Sequence, residues 1–394
     1  MESLIFSILA AFYLSLNPCP DRLSSGDFHI YRGGLNYSAS KFEKEKFGRV
    51  AFLGGSITYN PGWRDSVSNL IRKRFPGTTF EFINAGIPSL GSLPDAFRFE
   101  KDVLSKGRID LLFVEAAVND RTNAYPEEAQ VRAMEGIVRH ARAADAGTDI
   151  VFMYFVDPDK INDYNKGIVP AEIVNHEKVA VHYNIPSVNL AREVTERINN
   201  KEFTWEGDFV DLHPSPFGQI VYYRSISELL VKCWEENNSS DMTPHPLPPK
   251  LDPYCYDKGV LVEVGEKNAT DGWVYDKNWS PSDKASTRKG YVNVPMLVGS
   301  KPGAILKFSF KGTAAGVAVA SGPDAGIIEY SVDNQDWKSV DLFTQWSAGL
   351  HLPWFYTLAD GLRYGSHSLR IRLSNSKNEA STGTVCRIRY FFVN

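Results

Sequence analysis

The chain has 394 residues, more than one hydrophobic core usually supports, so two domains are expected. Hydrophobic residues at 43%, charged residues at 23% and a net charge of -4 describe an ordinary globular protein. With no excess of Lys and Arg, electrostatic capture of nucleic acid is excluded as the mode of action.

Residues 1–40 open with "MESLIFSILAAFYLSLNPCP", whose apolar run of about a dozen residues is shorter than the roughly 20 a membrane-spanning helix needs. It reads either as an export signal, which would place the protein outside the cytoplasm, or as a first buried element. Glu2 stands where a signal carries basic residues, and no small-residue cleavage site is clean. The four cysteines, Cys19, Cys233, Cys255 and Cys386, lack the spacing of a zinc site. One or two disulfides stay open, without a framework being demanded.

From residue 41 to 235, short apolar runs alternate with longer amphipathic ones. "RVAFLGG", "TFEFINAG", "DLLFVEAAVND", "DIVFMYFVD" and "IPSVNLA" have the near-continuous apolar character of strands buried on both faces. Helices are predicted over Trp63–Phe75, Pro94–Lys106, Pro126–Ala144, Pro170–Tyr183 and Pro216–Trp234, several with proline at or near a first turn. Strands alternating with helices imply an α/β domain with a parallel sheet, which binds ligands beyond the carboxyl ends of its strands. Residues 236–253, "ENNSSDMTPHPLPPKLDP", read as a semi-rigid linker. Over 254–394 the helical period is lost, and runs such as "AILKFSF", "GVAVAS", "SLRIRL" and "CRIRYFFV" predict an all-β sandwich.

Three residues fall just after strands: Ser56 after the first, Gly86 after the second and Asn119 after the third. A serine hydroxyl needs a base to take its proton, and Gly54 and Gly55 let the backbone turn sharply beside it. The base is read as His213 in "DFVDLHPSPFGQ", held out of helical geometry by Pro214 and lying just before the last helix of the α/β domain. Alone, it would be a loop histidine paired with a carboxylate. Gly86 offers an unobstructed backbone N–H and Asn119 a side-chain amide toward a developing oxyanion, although each alone would be an ordinary turn residue.

The segments "FLGGSIT", "NAGIPS", "AAVND" and "DLHPSPFGQ" resemble the four blocks of the SGNH/GDSL hydrolase superfamily, in order and over about 185 residues. The resemblance implies a flavodoxin-like three-layer α/β/α fold and ester hydrolysis through an acyl-enzyme. It makes Ser56 the nucleophile and His213 the general base. Ser56 N–H, Gly86 N–H and the Asn119 amide would form the oxyanion hole. The family places an aspartate three residues before the histidine, where this chain has Val210. Asp211, Asp208 or a backbone carbonyl would then orient the imidazole. Arg64 either binds a substrate carboxylate or pairs with Asp65 or Glu115, and Glu115 is read as a loop brace.

The aromatics Trp273, Trp279, Trp337, Trp346, Trp354, Phe355 and Tyr356 either present a carbohydrate-binding surface or fill the sandwich core. The run "TQWSAGLHLPWFYTLADGL" is too irregular for a hairpin and is expected to pack on the hydrolase domain and wall the site near Ser56. The two-domain layout resembles polysaccharide-active SGNH esterases of bacteria, which implies an acetylated glycan as substrate. Another SGNH esterase (a lipase, thioesterase or methylesterase) and a catalytically idle glycan-binding protein are the alternatives. No cofactor or metal is implied, and oligomeric state is not legible.

Overall fold

A computed structural model describes residues 23–235 and 244–394. The N-terminal apolar run with Cys19, and residues 236–243 of the Pro-rich stretch, lie outside the described residues. Among the described residues no helix is long and apolar enough to cross a membrane, and no disulfide joins Cys233, Cys255 and Cys386, all of which are buried.

The first domain is built on strands β1 (His29–Ile30), β2 (Phe47–Gly54), β3 (Thr79–Gly86), β4 (Leu111–Val114), β5 (Asp149–Met153) and β6 (Ser187–Val188). Their order is β1-β6-β5-β4-β2-β3, parallel except where β1 runs antiparallel to β6. Without β1 this is the doubly wound order of a flavodoxin-like sheet. The helices are α1 (Asn36–Glu45), α2 (Ser56–Tyr59), α3 (Trp63–Arg74), α4 (Ser92–Asp102), α5 (Ala117–Thr122), α6 (Glu127–Ala144), α7 (Pro158–Asn165), α8 (Ala171–His182), α9 (Leu190–Asn199) and α10 (Pro216–Glu235). Helix α10 packs with α1 and α3, while α6 packs with α4 and α8.

The apolar runs form strands because they are covered on both faces. Val50 to Leu53 and Leu111 to Val114 are all fully buried, each large side chain contributing about 1.5–3 kcal/mol of burial. Phe52 stacks on Phe113 at 4.9 Å and meets Trp63 of α3 edge-on at 5.7 Å. The Trp63 indole also donates to the Ile57 carbonyl at 3.1 Å, which ties α3 to the turn that carries Ser56.

Residues 23–40 are built into this domain and do not form a separate leading segment: β1 adds to the sheet, and His29 Nε2 meets Ser225 Oγ of α10 at 2.9 Å. The described part of the Pro-rich stretch is a strap and not a free spacer. His245 bonds Asp149 at 2.7 Å, and the Leu251 and Asp252 amides donate to Glu135 at 2.6 and 3.0 Å.

The C-terminal strands are β7 (Val260–Glu263), β8 (Trp273–Trp279), β9 (Ser286–Thr287), β10 (Val294–Gly299), β11 (Ile305–Gly312), β12 (Ala315–Ser321), β13 (Ile327–Val332), β14 (Lys338–Asp341), β15 (Leu350–Ala359), β16 (Gly365–Leu373) and β17 (Cys386–Val393). One sheet has the order β8-β10-β17-β12-β15-β9 with β7 also on β17, and the other β11-β16-β13-β14. Pairing is antiparallel apart from β15 with β9. The run expected to be an irregular loop corrects to a ten-residue strand, β15, in the larger sheet. It still reaches the first domain at its end, where Asp360 pairs with Arg132 of α6 at 3.0 Å. Between the domains Phe97 of α4 packs on Phe392 of β17 at 4.4 Å, and Phe355 of β15 lies 5.5 Å from Phe392. Trp273, Trp279 and Phe355 are core residues, whereas Trp346 is exposed and Trp337 lies half-buried over the Arg370 and Arg372 guanidinium groups.

Candidate active site

Strand β2 ends at Gly54, Gly55 precedes α2, and Ser56 is that helix's first residue. His213 lies in the segment between the Trp205–Phe209 turn and α10. From these separate elements the fold brings His213 Nε2 to 2.7 Å from Ser56 Oγ, a hydrogen bond between accessible side chains 157 positions apart.

Of the two aspartates weighed as partners, Asp211 lies beside the histidine, with Oδ1 3.7 Å from Nδ1, within ion-pair reach but beyond a hydrogen bond. Its carboxylate also accepts the backbone N–H of His213. Asp208 is turned away to cap a turn, accepting the Thr204 N–H and hydroxyl at 2.8 Å each, contacts that hold its carboxyl below the usual range. Between them, Val210 has φ 82°, a left-handed conformation that is a genuine outlier for a β-branched residue.

Glycine is required at the two hinge positions by close approach. A methyl group on Gly55 would meet the Asn119 amide at 2.1 Å, and one on Gly54 would meet the Glu115 carboxyl at 2.4 Å. The Asn119 side chain, carried by α5, therefore sits directly against the residue preceding Ser56. Gly86 pairs with Gly54 at the end of the sheet and backs onto the Tyr59 backbone of α2. Its N–H is donated to Asn84 Oδ1 at 3.0 Å. Arg64 is directed to Asp65, 3.5 Å away.

A layer of buried polar groups lies under this turn. Glu115 Oε1 accepts the Gly55 N–H at 2.8 Å and the Thr58 hydroxyl at 2.9 Å. Asp120 accepts from the Ser92 N–H at 2.7 Å and lies 2.8 Å from His176 Nε2. Arg98, fully buried in α4, donates to the Gly54 and Ala85 carbonyls at 3.2 and 2.6 Å. Burial disfavours the Arg98 charge, but Asp95 and Asp102 outweigh that and hold it cationic. Sequence reasoning missed Arg98. Its one signal was an acid at i−3 and another at i+4, Asp95 and Asp102.

Burial pushes the Glu115 carboxyl up to about 8, against the pull of Thr58 and the Gly55 N–H. Between the ordinary carboxylate range and that value the folded chain holds a proton that the unfolded chain has lost. Stability contributed by neutral Glu115 is therefore full below pH 4.5 and is lost as pH rises through about 8. Urea unfolding at pH 5 and pH 8.5 should show the wild-type chain losing at least about 1.4 kcal/mol more than Glu115→Gln, the worth of one pKa unit. Equal pH dependence in the two chains would refute a neutral Glu115.

Residues 52–220 match the family model described as GDSL-like Lipase/Acylhydrolase family. No curated protein sequence matches the chain. Crystal structures of a two-domain esterase (CEX) active on acetylated mannans, one of them co-crystallized with mannopentaose, are similar to this fold with TM-scores of 0.75 and 0.74. Both are 22% identical to it, covering 93% of this chain and 97% of that one. A catalytic mutant of Axe2, an acetylxylan esterase from Geobacillus stearothermophilus, covers 46% of this chain and 94% of its own at 16% identity and a TM-score of 0.39. The parallel sheet, the segment order and the family-model match agree: the chain carries an SGNH/GDSL-type α/β hydrolase domain with a parallel sheet, followed by a β-rich region of antiparallel sheets.

Proposed function

We propose that this protein is a serine esterase that removes O-acetyl groups from a carbohydrate or polysaccharide. The observation that carries the reading is the 2.7 Å contact between Ser56 Oγ and His213 Nε2, a nucleophile within reach of its base at the carboxyl edge of a parallel sheet. His213 takes the Ser56 proton as the oxygen attacks the ester carbonyl, then returns it to the departing sugar hydroxyl, leaving an acetyl group on Ser56. A water molecule, deprotonated by the same imidazole, releases acetate. Asp211 orients the ring and supports its positive charge, from 3.7 Å at rest.

The Ser56 N–H and the Asn119 amide beside Gly55 hold the oxyanion, with Gly86 N–H as third donor once its bond to Asn84 opens. Arg64, occupied by Asp65, is a reserve contact for an anionic substrate group. Residues 41–235 act as the hydrolase unit and 254–394 as a β-sandwich that binds carbohydrate or completes the site. The packing of its Phe392, itself backed by Phe355, on Phe97 of α4, the helix that opens at Ser92 beside Asp120, supports that placement. The apolar N-terminal run in the sequence and a polymeric substrate support an extracytoplasmic location.

The preference for acetyl is supported by the activity named for the two-domain esterase of similar fold. Acetate release from acetylated mannan, measured beside hydrolysis of p-nitrophenyl acetate, butyrate and octanoate, tests it. Acetylated glycan and the acetate ester should be turned over at least tenfold faster than the octanoate. A rate that rises with chain length would point to a lipase instead.

A further inference from the structure

Burying a guanidinium is costly unless every contact is supplied, so a fully buried arginine in a helix packed mostly by apolar residues calls for an explanation. Around Arg98, the α4 residues Leu93, Ala96, Phe97 and Phe99 are all core. Its Nε meets Asp95 at 2.8 Å and its Nη1 meets Asp102 at 3.0 Å, while Nη2, itself 2.7 Å from Asp95 Oδ1, reaches two carbonyls, Ala85 O at 2.6 Å and Gly54 O at 3.2 Å. Those carbonyls close β2 and β3, neighbouring strands in which Gly54 pairs with Gly86.

The Gly54 carbonyl and the Gly55 N–H belong to one peptide plane. Arg98 holds its oxygen at 3.2 Å together with the Ile87 N–H at 2.9 Å, and Glu115 Oε1 holds its N–H at 2.8 Å, so two buried side chains on different elements grip one plane from opposite edges. Thr58 locks Glu115 in turn, its hydroxyl donating to the same carboxyl oxygen at 2.9 Å. The next peptide along carries the Ser56 N–H, and the residue after it carries the hydroxyl. Rotation of the gripped plane would swing both; glycine at positions 54 and 55 offers no side chain to resist it, and the Ile87 N–H, donating to the Gly54 oxygen at 2.9 Å, restrains one edge only.

We propose that Arg98 and Glu115 are a positioning pair that fixes the Gly54–Gly55 peptide plane, and through it the direction of the Ser56 N–H and hydroxyl. The proposal rests on the serine-esterase reading above. Because the pair touches no substrate, it acts on the transition state through geometry and leaves ground-state binding nearly unchanged.

The test compares kcat and KM on p-nitrophenyl acetate for Glu115→Ala, Glu115→Gln, Arg98→Met and Thr58→Val, with thermal unfolding of each. Glu115→Ala and Arg98→Met should lower kcat about 100-fold with KM within about threefold, the size of effect a small misplacement of reacting groups has. Glu115→Gln, which keeps an oxygen for the Gly55 N–H and Thr58, should recover to within about fivefold of wild type. Should the two larger changes prevent folding, Thr58→Val decides, with an expected loss in kcat of about tenfold at unchanged KM. Unchanged kcat per folded molecule in Thr58→Val, or Glu115→Gln as inactive as Glu115→Ala, would overturn the pair. A fluorophosphonate on the wild-type protein separates the two levels: failure to label Ser56 removes the esterase reading itself, whereas labelling with unaffected variants removes only the positioning role.

Discussion

Ser56→Ala should lower kcat on p-nitrophenyl acetate at least about 10⁴-fold while the chain stays folded. The size follows from what is removed. Without Oγ no acyl-enzyme forms, and what is left is the modest acceleration that bound donors give to direct attack by water. The fold should hardly respond, because the Ser56 hydroxyl bonds His213 at the molecular surface and not a buried group. A change in unfolding free energy within about 1 kcal/mol is expected for losing one such bond. Activity reduced in proportion to lost stability would mean that the substitution acts on folding and not on chemistry.

Asn119→Ala has the next largest expected effect, a loss of kcat of about 10² to 10³-fold with KM within a few-fold, the range found when one oxyanion donor is deleted. The close fit of its amide oxygen against Gly55 fixes the side chain beside Ser56. Truncation also opens a gap beside that glycine, so a second substitution is needed to separate packing from donation. Asn119→Asp keeps the shape and replaces the amide by a carboxylate. It should lose at least as much activity as the alanine variant, since a negative charge would then face the developing oxyanion. Recovery of activity in Asn119→Asp would show that Asn119 only fills space.

These expectations rest on residues that were legible to different degrees. The strands could be read because Val50 to Leu53 and Leu111 to Val114 are continuous apolar runs, the pattern left by coverage on both faces. Ser56 and His213 could be paired from the sequence because each follows or precedes an element in the order a doubly wound sheet imposes, and the fold sets them 2.7 Å apart. Strand β1 escaped notice because His29–Ile30 has no periodicity to detect. Helix α9 was hidden by its start directly after β6, where the Asn189 side chain caps it by accepting the Arg192 N–H.

Strand β15 was misread because Pro353 lies inside it. Strand β9 pairs with Leu350 and His351 only, so the proline stands where the strand is an edge, the place a sheet tolerates it. Arg98 was missed for another reason. Acids at i−3 and i+4 look like an exposed ladder of ion pairs, and only the packing of α4 turns that face inward. The Gly86 N–H, bonded to Asn84 at 3.0 Å, shows a further limit of motif reading: a residue can stand in the matching position while its donor is engaged elsewhere.

The most direct test of the central claim is peptide mapping by mass spectrometry after brief treatment of the purified protein with a fluorophosphonate. A single adduct on Ser56, formed with loss of esterase activity in equal proportion and absent from His213→Ala, is the expected result. Full inactivation with the adduct on another serine, or full activity with Ser56 modified, would contradict it.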